Sequence, residues 1–225
     1  MTAVFRRALG ADFHRLHPRL RERFGFSSND RTACVGRGLM EEVWRGRAFT
    51  LPFLHLGATR NILFPERGRN VPFVVENYAY LDTYGRETLT FTRSFVLGGV
   101  RRRFDATMIY SPLRGRIIDY LGTHQHLAVD LDVRVDDAGG LRIVTGAQRF
   151  YEGLVGATVP AALTGQAEVH EWYDERRGCF RISVRVANRR FGALFGYRGW
   201  FVAELQTNVG ATPARVRPVR ESARD

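Results

Sequence analysis

From residue 72 onward the sequence is a near-unbroken succession of short segments with two-residue alternation, separated by turn formers. Candidate strands fall at 72–80, 87–97, 102–111, 115–121, 126–135, 141–150, 165–174, 179–187 and 194–205, after a first strand at 33–44. The links are brief: Asp82-Thr83-Tyr84-Gly85, Leu97-Gly98-Gly99, Pro112-Leu113-Arg114-Gly115, Asp136-Asp137-Ala138-Gly139-Gly140 and Asp174-Glu175-Arg176-Arg177-Gly178. Links this short join antiparallel neighbours. Leu127, Val129, Leu131, Val133 and Val135 alternate with polar or small residues, so one face is buried and the other wet. Val159-Pro160-Ala161-Ala162-Leu163 interrupts the run as a loop or one helical turn. About ten such strands suffice for a closed barrel or a deeply curved sheet.

The start of the chain has a different period. Val4, Phe5, Leu9, Phe13, Leu16, Leu20 and Phe24 recur at helical spacing, which predicts an apolar helical stripe over 3–24. Gly10 and Pro18 divide it into short helices, with Asp12 as an N-cap, and Gly25 ends it. Gly36 and Gly38 mark a bulge or close backbone approach in the first strand, where Arg37, Leu39, Glu41 and Val43 are expected on one face. A short helical or irregular stretch from Leu51 to Phe64 is expected to close one end of a barrel or pocket. The fold class is therefore mainly β (α+β): an antiparallel barrel or strongly curved sheet with N-terminal helices capping one opening. One β-rich domain spans 1–205, and 206–225 reads as a disordered basic tail.

Two strands break their own pattern. Leu89, Phe91, Phe95 and Leu97 share a face, and Arg93 sits in its middle. Asp119 likewise shares a face with Ile117 and Leu121. A charge on a core face is costly unless it is met by hydrogen bonds or an opposite charge. Arg93 and Asp119 are therefore expected to project into one partly apolar interior.

The net charge of +11 raises the question of nucleic acid. All 34 basic residues are arginine, which fits a codon bias, and they are scattered with no zinc-finger, KH or RNP-type motif. Nucleic acid is not an expected partner. No apolar run reaches the roughly 20 residues a spanning helix needs. The first residues lack a signal-peptide core, and Cys34 and Cys179 have no metal-type spacing. A cytoplasmic protein with free thiols is expected.

Several stretches together resemble an uncharacterised bacterial family, domain of unknown function 4166. They are Arg7-Ala8-Leu9-Gly10-Ala11-Asp12-Phe13 with Leu16-His17-Pro18, then Val35-Gly36-Arg37-Gly38, then Phe91-Thr92-Arg93-Ser94-Phe95. Asp119 with Gly122 follows, then Glu168 with Glu171-Trp172, and last Tyr197-Arg198-Gly199-Trp200. The family usually leads its aromatic-x-Arg-x-Phe pattern with Trp and more often has Glu at the Asp119 position. Its members occur alone, behind a saccharopine-dehydrogenase-like NAD(P)-binding half, or at the end of a YndJ-like membrane protein. With no dinucleotide-binding glycine fingerprint here, the stand-alone form is implied. The resemblance assigns no catalytic residue.

Candidate chemistry comes from the residues themselves. Arg93 would stabilise developing negative charge, Asp119 would orient Arg93, and Tyr197 or Tyr78 would donate a hydrogen bond; a structural ion pair is the competing explanation. Glu168 and His170 share a face with Trp172 and would suit acid–base work, unless Ala167, Val169 and Tyr173 form the core face. Arg37, Glu76, Tyr78, Phe91 and Phe95 complete the expected ligand-binding set. His124 and His126 have a ligand-like spacing but no adjacent third ligand, so no metal is expected. No nucleophile elbow is present. The expected function is binding of a small hydrophobic or amphipathic molecule in the concave interior, with catalysis, if any, as a cofactor-independent cyclase or isomerase. The alternative is a non-enzymatic accessory or interaction domain for a partner oxidoreductase or membrane protein.

Overall fold

The structure, a computed structural model, describes residues 1–152, 155–158 and 165–224. The described strands are β1 (Ala33–Arg45), β2 (Gly68–Leu81), β3 (Glu87–Leu97), β4 (Val100–Ser111), β5 (Arg116–Leu121), β6 (Leu127–Val135), β7 (Leu141–Glu152), β8 (Val155–Thr158), β9 (Gln166–Asp174), β10 (Cys179–Asn188) and β11 (Gly192–Gln206). They form one antiparallel sheet in the order β6-β5-β4-β3-β2-β1-β11-β10-β9-β7-β8, and β6 also pairs with β7. That last pairing closes a barrel of ten strands, with β8 attached outside the ring to the far half of β7. The brief β8 was not predicted. The loop or helical turn expected at Val159–Leu163 lies outside the described residues.

The N-terminal stripe folds as α1 (Val4–Leu9), a 3-10 turn (Gly10–Arg15) and α2 (Pro18–Phe24), so Gly10 and Pro18 do divide it. Asp12 is not an N-cap: it lies inside the 3-10 turn and pairs with Arg15. The cap of α2 is His17, whose Nδ1 accepts from the Arg19 backbone N–H. These helices plug one end of the barrel. Phe5, Phe13, Leu16, Leu20 and Phe24 are buried there, and the His17 N–H donates to the Gly139 carbonyl in the β6–β7 hairpin at 2.9 Å. A third helix, α3 (Leu51–Ala58), lies in the β1–β2 connection at the other end, where Phe64 packs on Phe95 and Phe195.

In β1 the pairing shifts between Met40 and Glu42. A bulge of this kind reverses which face successive residues take. Arg37 is exposed while Val43 is buried, so the expected shared face of Arg37, Leu39, Glu41 and Val43 does not exist. Gly36 and Gly38 do mark a close approach: the Phe201 ring lies over Gly36, and the Trp200–Phe201 backbone lies against Gly38.

Residues 207–224, within the stretch 206–225 read from composition as a disordered basic tail, run along the outer wall. Val216 packs with Ala33 and Tyr78; Glu221 accepts from the Tyr80 hydroxyl at 3.0 Å and the Thr83 N–H at 2.6 Å. The Tyr120 hydroxyl donates to the Arg224 carbonyl at 2.5 Å, over a small outer core of Ile109, Ile118, Tyr120, Ala128 and Tyr151.

A Cβ at Gly38 would stand 2.1 Å from the Trp200 carbonyl oxygen, whereas one at Gly36 meets side-chain atoms at 2.6 Å or more. Overpacking against backbone cannot relax by a rotamer change. Gly38→Ala should cost about 3 kcal/mol in denaturant unfolding and Gly36→Ala less; equal costs would show that the backbone at Gly38 yields.

Candidate functional site

Inside the barrel is a cavity of about 200 Å³. Its walls are mostly apolar, with Phe73, Phe91, Phe104, Met108, Val129 and Ile182 among them. Engineered apolar cavities of about 150 Å³ admit a benzene-sized molecule. Four ionisable side chains also reach this wall: Arg23, Arg93, Asp119 and Glu171.

Two of them satisfy each other at the helix-plugged end. Arg23 of α2 donates from Nε to Glu171 Oε1 on β9 at 2.6 Å and from Nη1 to Asn77 Oδ1 on β2 at 2.7 Å. Asn77 in turn donates to the Thr90 carbonyl at 2.9 Å. The guanidinium lies 5.0 Å from the centre of the Phe201 ring and near Phe24 and Phe180. Burial is the strongest influence and opposes its charge, but the Glu171 carboxylate and Cys34 together outweigh it, and its pKa rises. Removing one partner of such a pair strands a buried charge.

The other two are not paired. Arg93 is 7% exposed; its Nε donates to the Phe104 carbonyl and its Nη1 to the Tyr197 hydroxyl, both at 3.3 Å. Its guanidinium sits 3.8 Å above the Phe104 ring. No carboxylate comes within 4.0 Å of it among the described residues. Asp119 is 6% exposed, and its Oδ1 has no hydrogen-bond partner. The geometry explains the gap. Arg93 pairs with Phe104 and Asp119 with Met108, so β4 stands between them and the two partners are four residues apart along it, which is about 9.6 Å across the sheet and about 13 Å along the strand. The expected orienting role of Asp119 is therefore filled by Phe104 and Tyr197. Burial pushes the Asp119 carboxyl up to about 7, against the opposing pull of the Arg93 cation. Burial also raises the Tyr197 hydroxyl.

The other sequence candidates divide by strand face. Phe91 lines the cavity. Phe95 and Tyr197 are fully buried beside it, their rings 5.1 Å apart. Arg37, Glu76, Tyr78, Glu168 and His170 lie on the outer wall. Glu76 pairs with Arg215 and Tyr78 packs on Val216 under the C-terminal segment. Glu168 is exposed, and His170 bonds Asp136 at 2.9 Å and stacks on Trp172. The inward face of β9 is that of Ala167, Val169 and Glu171. Glu171 and Arg23 were thus missed as cavity residues, yet each interrupts an apolar stripe just as Arg93 does. His124 and His126 have ring centres 5.5 Å apart, and no group of three or more metal-type ligands occurs among the described residues.

Fold and cavity define a class: a closed antiparallel barrel, plugged at one end by helices, with an apolar interior holding one satisfied and one open pair of charges. The chain belongs to the family described as domain of unknown function (DUF4166), whose model matches residues 16–201. It is similar to the uncharacterized protein YndH of Bacillus subtilis (strain 168), with 32% identity over 204 residues, 91% of this chain and 98% of that one. No solved structure matches. No helix is long and apolar enough to cross a membrane among the described residues.

A carboxyl whose folded pKa lies above its unfolded value of about 3.9 binds its proton more tightly when folded, so its contribution to stability falls as pH rises from about 4 to about 7. Asp119→Asn should remove that fall and stabilise the protein at pH 8 by an amount on the order of a few kcal/mol, with little change near pH 4. Parallel stability curves for the two proteins across this range would show that Asp119 is solvated.

Proposed function

We propose that the barrel interior binds a small hydrophobic or amphipathic molecule, with Arg93 and Asp119 meeting its polar group. The supporting observation is the open pair itself. A buried guanidinium without a carboxylate and a buried carboxyl with an unpartnered oxygen face one apolar cavity. Leaving such groups unmet is costly, and a guest carrying a carbonyl, carboxylate or enolate oxygen would complete the network. The apolar walls would supply affinity and the polar pair orientation.

The same arrangement suits a cofactor-independent cyclisation or isomerisation. Arg93 would stabilise negative charge developing on the guest oxygen, and Tyr197 would hold Arg93 in place. Asp119, titrating near neutrality, would give or take a proton. The walls would fix a flexible substrate in a reactive conformer. A wide exposed apolar patch with a filled interior would favour the reading as an accessory domain for an oxidoreductase or membrane protein; an interior cavity lined by Arg93 supports the ligand reading over it.

Titration with octanoic acid and 2-octanone tests the proposal. The native protein should bind both saturably, and affinity for the acid should weaken as pH passes about 7, where an ionised Asp119 would repel the carboxylate. Arg93→Met, with its fold checked by thermal unfolding, should lose roughly tenfold or more for the acid. Unchanged affinity in that variant, or no saturable binding by the native protein, would defeat the reading.

A further inference from the structure

At the end of the barrel away from α1 and α2, three connections stand side by side, because β10, β11, β1, β2, β3 and β4 are consecutive neighbours in the ring. They are the β10–β11 turn, the β1–β2 connection with α3, and the β3–β4 turn. Each exposes large apolar side chains. Phe53 is 76% and Leu56 67% exposed on α3, a helix without a formal charge. Phe49, just before α3, and Phe191, in the β10–β11 turn, are also exposed, with their rings 5.6 Å apart. Val100 opens onto solvent beside the β3–β4 turn.

The charge of this rim has one sign. Residues 45–69, 98–103 and 188–192 together contain ten arginines and one carboxylate, Glu66. Arg102 holds Glu66, and Arg103 is held by Asp105. Arg47, Arg60, Arg67, Arg101, Arg189 and Arg190 are exposed, with no carboxylate within 4.0 Å among the described residues. Exposed phenylalanine and leucine flanked by unpaired arginines are the two components that seat a protein on an anionic bilayer: apolar groups enter the acyl boundary and guanidinium groups meet the phosphates. A nucleic acid would use the arginines but give Leu56 and Val100 nothing to enter.

We infer that this rim docks on the surface of an anionic lipid bilayer. The same end of the barrel also contributes to the cavity wall, through Ile62 and Leu63 of the β1–β2 connection and Leu194 of β11. Docking would place the lipid phase against the cavity's apolar end, but the docking itself stands whether or not the cavity holds a guest.

The test is co-sedimentation of the full chain with phosphatidylglycerol–phosphatidylcholine vesicles and with phosphatidylcholine vesicles. The native protein should partition at least roughly tenfold more strongly onto the anionic vesicles, less so in about 0.5 M salt. The double variant Phe53→Ser with Leu56→Ser should lose roughly tenfold, because the apolar anchor is gone. Leu113→Ser, 86% exposed in the β4–β5 turn at the opposite end, and Arg93→Met should both bind as the native protein does. Undiminished binding by the double variant, no preference for anionic vesicles, or a DNA duplex that displaces the protein from them completely would overturn the inference.

Discussion

The pairing of β6 with β7 is the constraint on which the rest of the molecule depends. Without it the ten strands would be an open curved sheet with an unpaired edge at β6. With it, every strand of the ring has two neighbours, and the inner face is shielded from bulk water all the way around the wall. That enclosure makes Phe73, Phe95, Phe195 and Phe201 a core. It also removes solvent from four ionisable groups at once. The electrostatics of the interior are thus a product of topology, not of any one contact.

Within that enclosure the two charged pairs behave differently because of where they sit in the strand order. Arg23 reaches in from a helix, so its side chain is free of sheet spacing and meets Glu171 at 2.6 Å. Arg93 and Asp119 are both fixed to the sheet with β4 between them, and the Phe104 ring takes the space a carboxylate would need. The first arrangement satisfies both of its charges. The second leaves Asp119 Oδ1 without a hydrogen-bond partner, and burial lets that carboxyl keep its proton up to about pH 7.

Much of the architecture was legible in the sequence. Strand β3 was read at its observed bounds, and the other predicted strands fall within a few residues of theirs, because alternation and glycine-rich turns are local signals. The inward direction of Arg93 and Asp119 followed from the same alternation. Three things were not legible. The bulge at Met40–Glu42 leaves no mark in residue types, so Arg37 was placed on the wrong side. The face of β9 depended on weighing Ala167 and Val169 against Glu168 and His170, and the small apolar residues won the interior. Partner choice was also out of reach, since whether Arg93 meets Asp119 depends on which strand lies between them, a property of the ring and not of either segment.

The Arg23–Glu171–Asn77 contact ties α2 to β9 and to β2, which sit on different sides of the ring. A plug moored to two separate staves cannot swing aside on one hinge. Lifting it would drag the Arg23 guanidinium and the Glu171 carboxylate apart, both of them buried. The N-terminal segment is therefore a fixed floor, and any traffic with the hollow has to pass through the far rim.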